Sequence, residues 1–197
     1  MVLVYIDQAD QQIKKSSLEA MSYGAALAKQ LGCDVAALVL GTVQDNLAEL
    51  GKSGAQKVYH LKNETLNSLD VKLHSTLIAN AAKNVNATVV VFANNINGKA
   101  IAPAVSVKLE AGLVTGASSL PNTENGFVVT KTVFSGKAFA SIQIETPIKV
   151  IAINQNSFGV VAYDTSATVE ELNIPIPAAS IKITKLEKVE GEIPLTE

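Results

Sequence analysis

The sequence has 197 residues, with 16 lysines and no arginine against 18 carboxylates, for a formal net charge of −2. At 48% hydrophobic and 17% charged it is too apolar for a disordered chain, and its balanced charge excludes a broad basic field for tracking nucleic-acid phosphates. A single cysteine, Cys33, excludes an intrachain disulfide and a Cys-rich zinc site and suits a reducing, cytoplasmic setting. No apolar run reaches membrane-helix length, so no membrane insertion is expected, and Met1 to Asp7 lacks the basic start of a signal peptide.

The chain opens on a β-rich run, Val2 to Ile6, that ends at Asp7. Ser16-Ser17-Leu18-Glu19 has the pattern of a capping box, with Ser16 as N-cap and Glu19 three residues on. Leu18, Met21, Ala25, Leu27, Ala28 and Leu31 follow at helical spacing, and Gly32 stops the helix. Val35 to Leu40 is apolar throughout, as a strand covered on both faces should be. Then come a short helix from Asn46, a strand from Lys57 to Leu61, a helix from Leu69 to Asn84 and an apolar strand from Thr88 to Ala93. The loop Asn94 to Lys99 leads to a helix from about Ala100 to Glu110, with Pro103 in its first turn, and a strand from Gly112 to Ala117.

Strands that alternate with helices indicate a parallel sheet with right-handed crossovers. After Ser118 the pattern changes. Gly126 to Phe134, Lys137 to Ile144 and Ile148 to Ile153 read as an antiparallel meander with short turns. Tyr163 to Pro177 is polar, then Pro-rich, and reads as irregular, and Ile181 to Val189 alternates as a last, lysine-guarded edge strand. No clear boundary divides the chain. It reads as one domain over 1–197, alternating β/α in 1–117 and mainly antiparallel β in 118–197.

Most chemical motifs fail on inspection. Gly51-Lys52-Ser53 and Gly136-Lys137-Ala138 lack the earlier glycine of a phosphate loop, whose place Asn46 and Lys131 take. His60 and His74 stand apart from other ligand types, so no metal site is expected, and His74 falls on a polar helix face that should meet solvent. Cys33 has no histidine near it in sequence and reads as a small buried hydrophobe. No set of side chains supplies a nucleophile and its base, so no catalytic residue is expected.

The remaining candidates lie where open α/β sheets place ligands, at the carboxyl ends of strands. Asp7 ends the first strand, where a carboxylate can hold a ribose hydroxyl or an adenine amine. Asn97, Gly98 and Lys99 follow the fourth strand, and Gly98 precedes a helix whose free N–H groups can receive an anion.

Several segments, in order and across nearly the whole chain, resemble the N-terminal domain of the electron transfer flavoprotein alpha subunit. They are Val2-Leu3-Val4, Ser17 to Ala20 with Ala25 to Leu31, Val35 to Gly41, and Gly54-Ala55-Gln56-Lys57-Val58-Tyr59. Gly98-Lys99-Ala100-Ile101-Ala102-Pro103 is similar to the family's Gly-Arg-Asp-Leu-Ala-Pro segment and runs on into Leu109 to Val114. Ser135-Gly136-Lys137-Ala138-Phe139-Ala140 is similar to the turn Gly-Gly-Lys-Ala-x-Ala.

The resemblance implies a three-layer Rossmann-like fold of the adenine nucleotide alpha hydrolase-like type, its parallel sheet extended by antiparallel strands. It implies a scaffold without its own catalytic residues, paired with a beta subunit in an FAD-containing heterodimer. That complex carries electrons from acyl-CoA-type dehydrogenases to an acceptor. In the family a separate C-terminal domain holds most of the FAD. Its Val-Ser-Gly-Gly-Arg-Gly segment does not occur before Glu197, so no FAD is expected on this chain alone. Gly136 and Lys137 become candidate partner contacts. Lys99 stands where the family has arginine and Ala100 where it has aspartate, and a lysine does not reproduce a bidentate fork. The alternative is a stand-alone nucleotide-binding protein of the universal-stress type, which would use Asp7 but finds only Gly98 of the glycine-rich loop it needs.

Overall fold

The computed structural model describes residues 1–185. Strand β1 (Val2–Ile6) leads through a small hairpin, β2 (Gln8–Ala9) and β3 (Gln12–Ile13), into helix α1 (Lys15–Leu31). Strand β4 (Val35–Leu40), a 3-10 segment (Leu47–Ser53), β5 (Lys57–Leu61), a second 3-10 turn (Glu64–Leu66) and α2 (Val71–Asn84) follow. Next are β6 (Val89–Ala93), α3 (Ile96–Leu109), β7 (Gly112–Ala117), β8 (Val128–Val133), β9 (Ala138–Gln143), β10 (Lys149–Ile153) and β11 (Thr168–Glu171).

Nine strands form one sheet in the order β11-β5-β4-β1-β6-β10-β7-β8-β9. Pairing is parallel from β11 to β7 and antiparallel for β7–β8 and β8–β9. The two-residue period of a strand sorts β1 between two cores. Val2, Val4 and Ile6 pack with Met21, Tyr23 and Leu27 of α1. Leu3 and Tyr5 pack with Leu77 and Ile78 of α2 and Ile101 and Val105 of α3. Each large side chain removed from water in these layers is worth about 1.5–3 kcal/mol. Gly24 lets α1 lie close on the sheet, since a Cβ there would come 2.3 Å from Val4 Cγ2.

The chain moves from β1 to β4 with α1 on one face, and rightward through β6 and β7 with α2 and α3 on the other. The direction of winding therefore changes between β1 and β6, which makes the carboxyl ends of these two strands the topological switch point.

Several expectations need correcting. Residues 148–153 do not close a meander: β10 enters the sheet between β6 and β7, parallel to both. The stretch expected to be irregular contains β11, parallel to β5 at the far edge. Strand direction after residue 117 is thus antiparallel only in β8 and β9, and parallel in β10 and β11. Helix α3 begins at Ile96, so Pro103 lies inside it and leaves the Lys99 carbonyl without an intrahelical donor. Ser16 is not an N-cap: α1 starts at Lys15, and Lys14 occupies the cap with no side-chain hydrogen bond. Ile181 to Lys185 are in no strand, and the rest of the expected last strand lies outside the described residues.

Candidate functional site

At the end of β1 the backbone of Asp7 is locked on both sides. Its N–H donates to Ser17 Oγ (2.8 Å), and the Ser17 hydroxyl donates to the Asp7 carbonyl (2.9 Å). Its carboxylate is buried, with the residue 4% exposed. The carboxylate accepts from Lys14 Nζ at 2.6 Å and from Asn95 Nδ2 at 2.9 Å. Asn97 Nδ2 lies 3.0 and 3.2 Å from its two oxygens. The loops after β1 and β6, which would flank a ligand at the switch point, therefore bind each other.

Asn95 does two jobs. While its Nδ2 holds Asp7, its Oδ1 accepts the Gly98 N–H at 2.8 Å and caps α3. That donor is one of those an anion would have used. Gly98 is required for a steric reason, since a Cβ there would sit 1.9 Å from the Ala93 carbonyl oxygen. Lys99 is exposed on α3. Of the sequence candidates, then, Asp7 and Asn97 are brought together, Gly98 packs beneath them, and Lys99 faces solvent.

About 20 Å³ of internal space remains beside Asp7, bordered by Tyr5, Gln8, Asn67, His74 and Asn97. That is room for a water molecule and far below the hundreds of Å³ a cofactor needs. Burial, then the charge of Asp7, pushes the Tyr5 hydroxyl far above its ordinary pKa, so it stays protonated. The space directly on Asp7 is too small for an adenylate or a flavin, while a larger cavity of about 490 Å³ opens next to it between Lys14, Ser16, Glu19 and Asn156.

Sequence reasoning missed the partners of this cluster. Lys14 and Asn95 flank helix starts, and an asparagine directly ahead of a helix is itself a cap signal. Glu19, read as part of a capping box, instead takes backbone N–H groups from Asn156 (2.8 Å), Phe158 (2.9 Å) and Gly159 (2.9 Å). Burial works to raise its pKa, but the N–H groups of this loop outweigh it and hold the carboxyl below its ordinary value.

His74 is buried, not exposed: its ring nitrogens lie 2.9 Å from the Asp70 carbonyl and 3.2 Å from that of Leu66. His60 is half-buried, with Nε2 2.8 Å from the Gly41 carbonyl. Cys33 is only partly buried against the α1 core. Among the described residues no group of three or more His, Cys, Asp or Glu side chains is placed to hold a metal ion. No helix among them is long and apolar enough to cross a membrane.

Gly136 and Lys137 lie in the β8–β9 turn, far along the sheet from Asp7. Phe134 and Phe139 flank that turn and are 79% and 72% exposed.

A doubly wound three-layer α/β sheet in which side chains of the chain itself surround Asp7 at the switch point defines the class: a Rossmann-like α/β protein. The profile of the electron transfer flavoprotein domain family matches residues 2–177, and the chain belongs to that family. It is 29% identical over 142 residues to the electron transfer flavoprotein subunit alpha of Syntrophomonas wolfei, covering 72% of this chain and 44% of that one. It is 24% identical over 177 residues to the subunit alpha of Bacillus subtilis, covering 89% and 54%. Over 177 residues it is 26% identical to the lactate dehydrogenase (NAD(+),ferredoxin) subunit LctC of Acetobacterium woodii, covering 88% and 40%. The chain thus spans about half the length of these relatives or less, and the resemblance to the alpha subunit read from its segments holds.

Proposed function

We propose that this chain is the N-terminal scaffold and subunit-contact domain of an electron transfer flavoprotein alpha subunit, forming a single folding unit over 1–197. It works within an FAD-containing complex with a beta-type subunit, in the cytoplasm, and takes no catalytic step itself. The complex carries electrons from acyl-CoA-type dehydrogenases to a downstream acceptor. A flavin supplies electron transfer, and a protein scaffold supplies placement.

The observation that carries this reading is the family match over residues 2–177 on a chain whose switch-point crevice is closed by Lys14, Asn95 and Asn97 on Asp7. A stand-alone nucleotide-binding protein needs that crevice open, so the universal-stress alternative is not favoured. The partner-contact role falls to the β8–β9 turn, where Gly136 and Lys137 sit between two exposed phenylalanines. Exposed aromatic side chains of that kind are common anchors in interfaces.

The test is reconstitution. The purified chain mixed with FAD is expected to stay colourless after gel filtration, and to bind an electron transfer flavoprotein beta-type subunit in a pull-down that Lys137→Glu or Phe134→Ser weakens. A stoichiometric yellow complex on the chain alone, or saturable AMP binding to it, overturns the reading.

A further inference from the structure

The two edges of the sheet are defended very differently. Edge strand β11 is four residues long and carries Glu170 and Glu171, with Glu170 paired to Lys57 at 2.8 Å. Edge strand β9, Ala138–Gln143, has the sequence AFASIQ, with no charge, proline or glycine in six residues. Charge, proline and brevity are the usual means of keeping an edge from pairing, and β9 has none of them.

Its open hydrogen-bonding groups can be assigned. The Ile144 N–H donates to the Phe127 carbonyl at 2.9 Å, which fixes the alternation along the β8–β9 ladder. Ala138, Ala140 and Ile142 direct their backbone groups to β8. Phe139, Ser141 and Gln143 turn theirs to the side on which none of the described strands lies. Phe139 and Ile142 are 72% and 37% exposed.

This edge is complementary to itself. Antiparallel pairing about a two-fold axis at Ser141 sets Phe139 opposite Gln143 and Ala140 opposite Ile142, each twice. The same register brings Lys137, in the turn just before β9, towards Glu145, just past its end, beyond both ends of the ladder. The outward-facing residues permit other registers two residues away on either side. Those bring Lys137 to Gln143 or Glu145 to Phe139 and leave both charges without an opposite. Opposed charges across strands favour a register.

We infer that, in the absence of its partner subunit, β9 pairs antiparallel with β9 of a second copy of this chain through Phe139, Ser141 and Gln143, joining two sheets into one about a two-fold axis at Ser141. The inference goes beyond the function proposed above and takes from it only the partner subunit that is left out of the test. The contact is isologous and closes at two copies.

The test is the mass of the purified chain by sedimentation equilibrium over a concentration series. The weight-average mass is expected to rise from 20.6 kDa towards twice that value. Ser141→Lys puts like charges face to face at the axis and is expected to hold the mass at the monomer value throughout. Ser141→Pro removes the central N–H and should do the same. In a Cys33→Ser background, Ser141→Cys is expected to give a disulfide-linked dimer on oxidation, because directly opposite residues of a hydrogen-bonded pair lie about 5.5 Å apart, within disulfide reach. Gln143→Cys, which faces Phe139 instead, is expected to link far less.

A monomer at every concentration overturns the inference. So does a dimer that Ser141→Lys leaves intact. A chain that stays monomeric and binds only the beta-type subunit overturns it while leaving the proposed function standing. Circular dichroism of Ser141→Lys, whose side chain lies on the exposed strand, separates loss of pairing from loss of fold.

Discussion

Asn97 sets one amide across both oxygens of Asp7, at 3.0 and 3.2 Å, and so ties the first turn of α3 to the end of β1. Asn95 and Lys14 complete the ring of donors around the same carboxylate. A group held by three side chains is a structural joint, and its removal should be felt in stability. Asp7→Ala leaves two amides without their acceptor and is expected to cost about 2–4 kcal/mol, read as a lower urea midpoint with an unchanged slope. Asn97→Ala should cost less, since Asn95 and Lys14 remain, by about 1 kcal/mol.

Gly98→Ala tests close approach at the same joint. The added methyl would meet the Ala93 carbonyl at 1.9 Å, and the obstacle is backbone, which cannot rotate away. A loss of about 3 kcal/mol or more is expected in the same urea titration. Gly136→Ala has open space around it, so only its φ of +82° opposes the change and the loss should be nearer 1 kcal/mol.

Acid should loosen the start of α2. Burial works to raise the Asp70 carboxyl, but the Leu73 N–H, the Ser180 hydroxyl and N–H and the Ile181 N–H outweigh it, bringing its pKa from 3.8 to about 2. A carboxyl depressed in the folded state stabilises above its unfolded pKa and loses that contribution as pH falls through the folded one. The loss therefore runs from pH 3.8 down to about 2. Glu19 adds to it in the same direction. Urea midpoints measured across that range should fall with pH, and Asp70→Asn should flatten part of the slope.

His74→Leu removes a ring whose Nε2 lies 3.2 Å from the Leu66 carbonyl and whose Nδ1 lies 3.3 Å from the Asp70 N–H, and takes the side-chain partner from both, while the Asp70 carbonyl keeps the backbone N–H of residue 74 at 2.8 Å. A loss of about 1–3 kcal/mol is expected, with faster hydrogen exchange in the first turn of α2.

How much of this was legible in the sequence depended on distance along the chain. The runs Val2 to Ile6, Val35 to Leu40 and Val89 to Ala93 announce buried parallel strands, because residues covered on both faces must be apolar in a row. Asp7 and Asn97 were placed at the correct edge by the same logic. That they bond to each other was hidden, since 90 residues separate them. The position of β10 in the sheet was misread for a related reason. Ile148 to Ile153 shows that a strand exists, while the short turn before it suggests a neighbour it does not pair with. β11 was missed because an edge strand reading Thr-Val-Glu-Glu has no apolar face to reveal it. His74 looked exposed because its neighbours Lys72, Ser75 and Thr76 are polar, whereas the turn Glu64–Leu66 covers it from outside the helix.

The placement of β10 has a consequence for synthesis. A ribosome delivers β6 and β7 well before β10, yet those two strands touch only through it. The gap between them must stay open, or fill wrongly, until residues 149–153 emerge. The far edge closes later still, when Glu170 reaches Lys57 across 113 positions. The emerging polypeptide therefore exposes a cleft sheet from the completion of β7 at residue 117 until β10 is delivered by residue 153, and chaperone demand should peak over that interval.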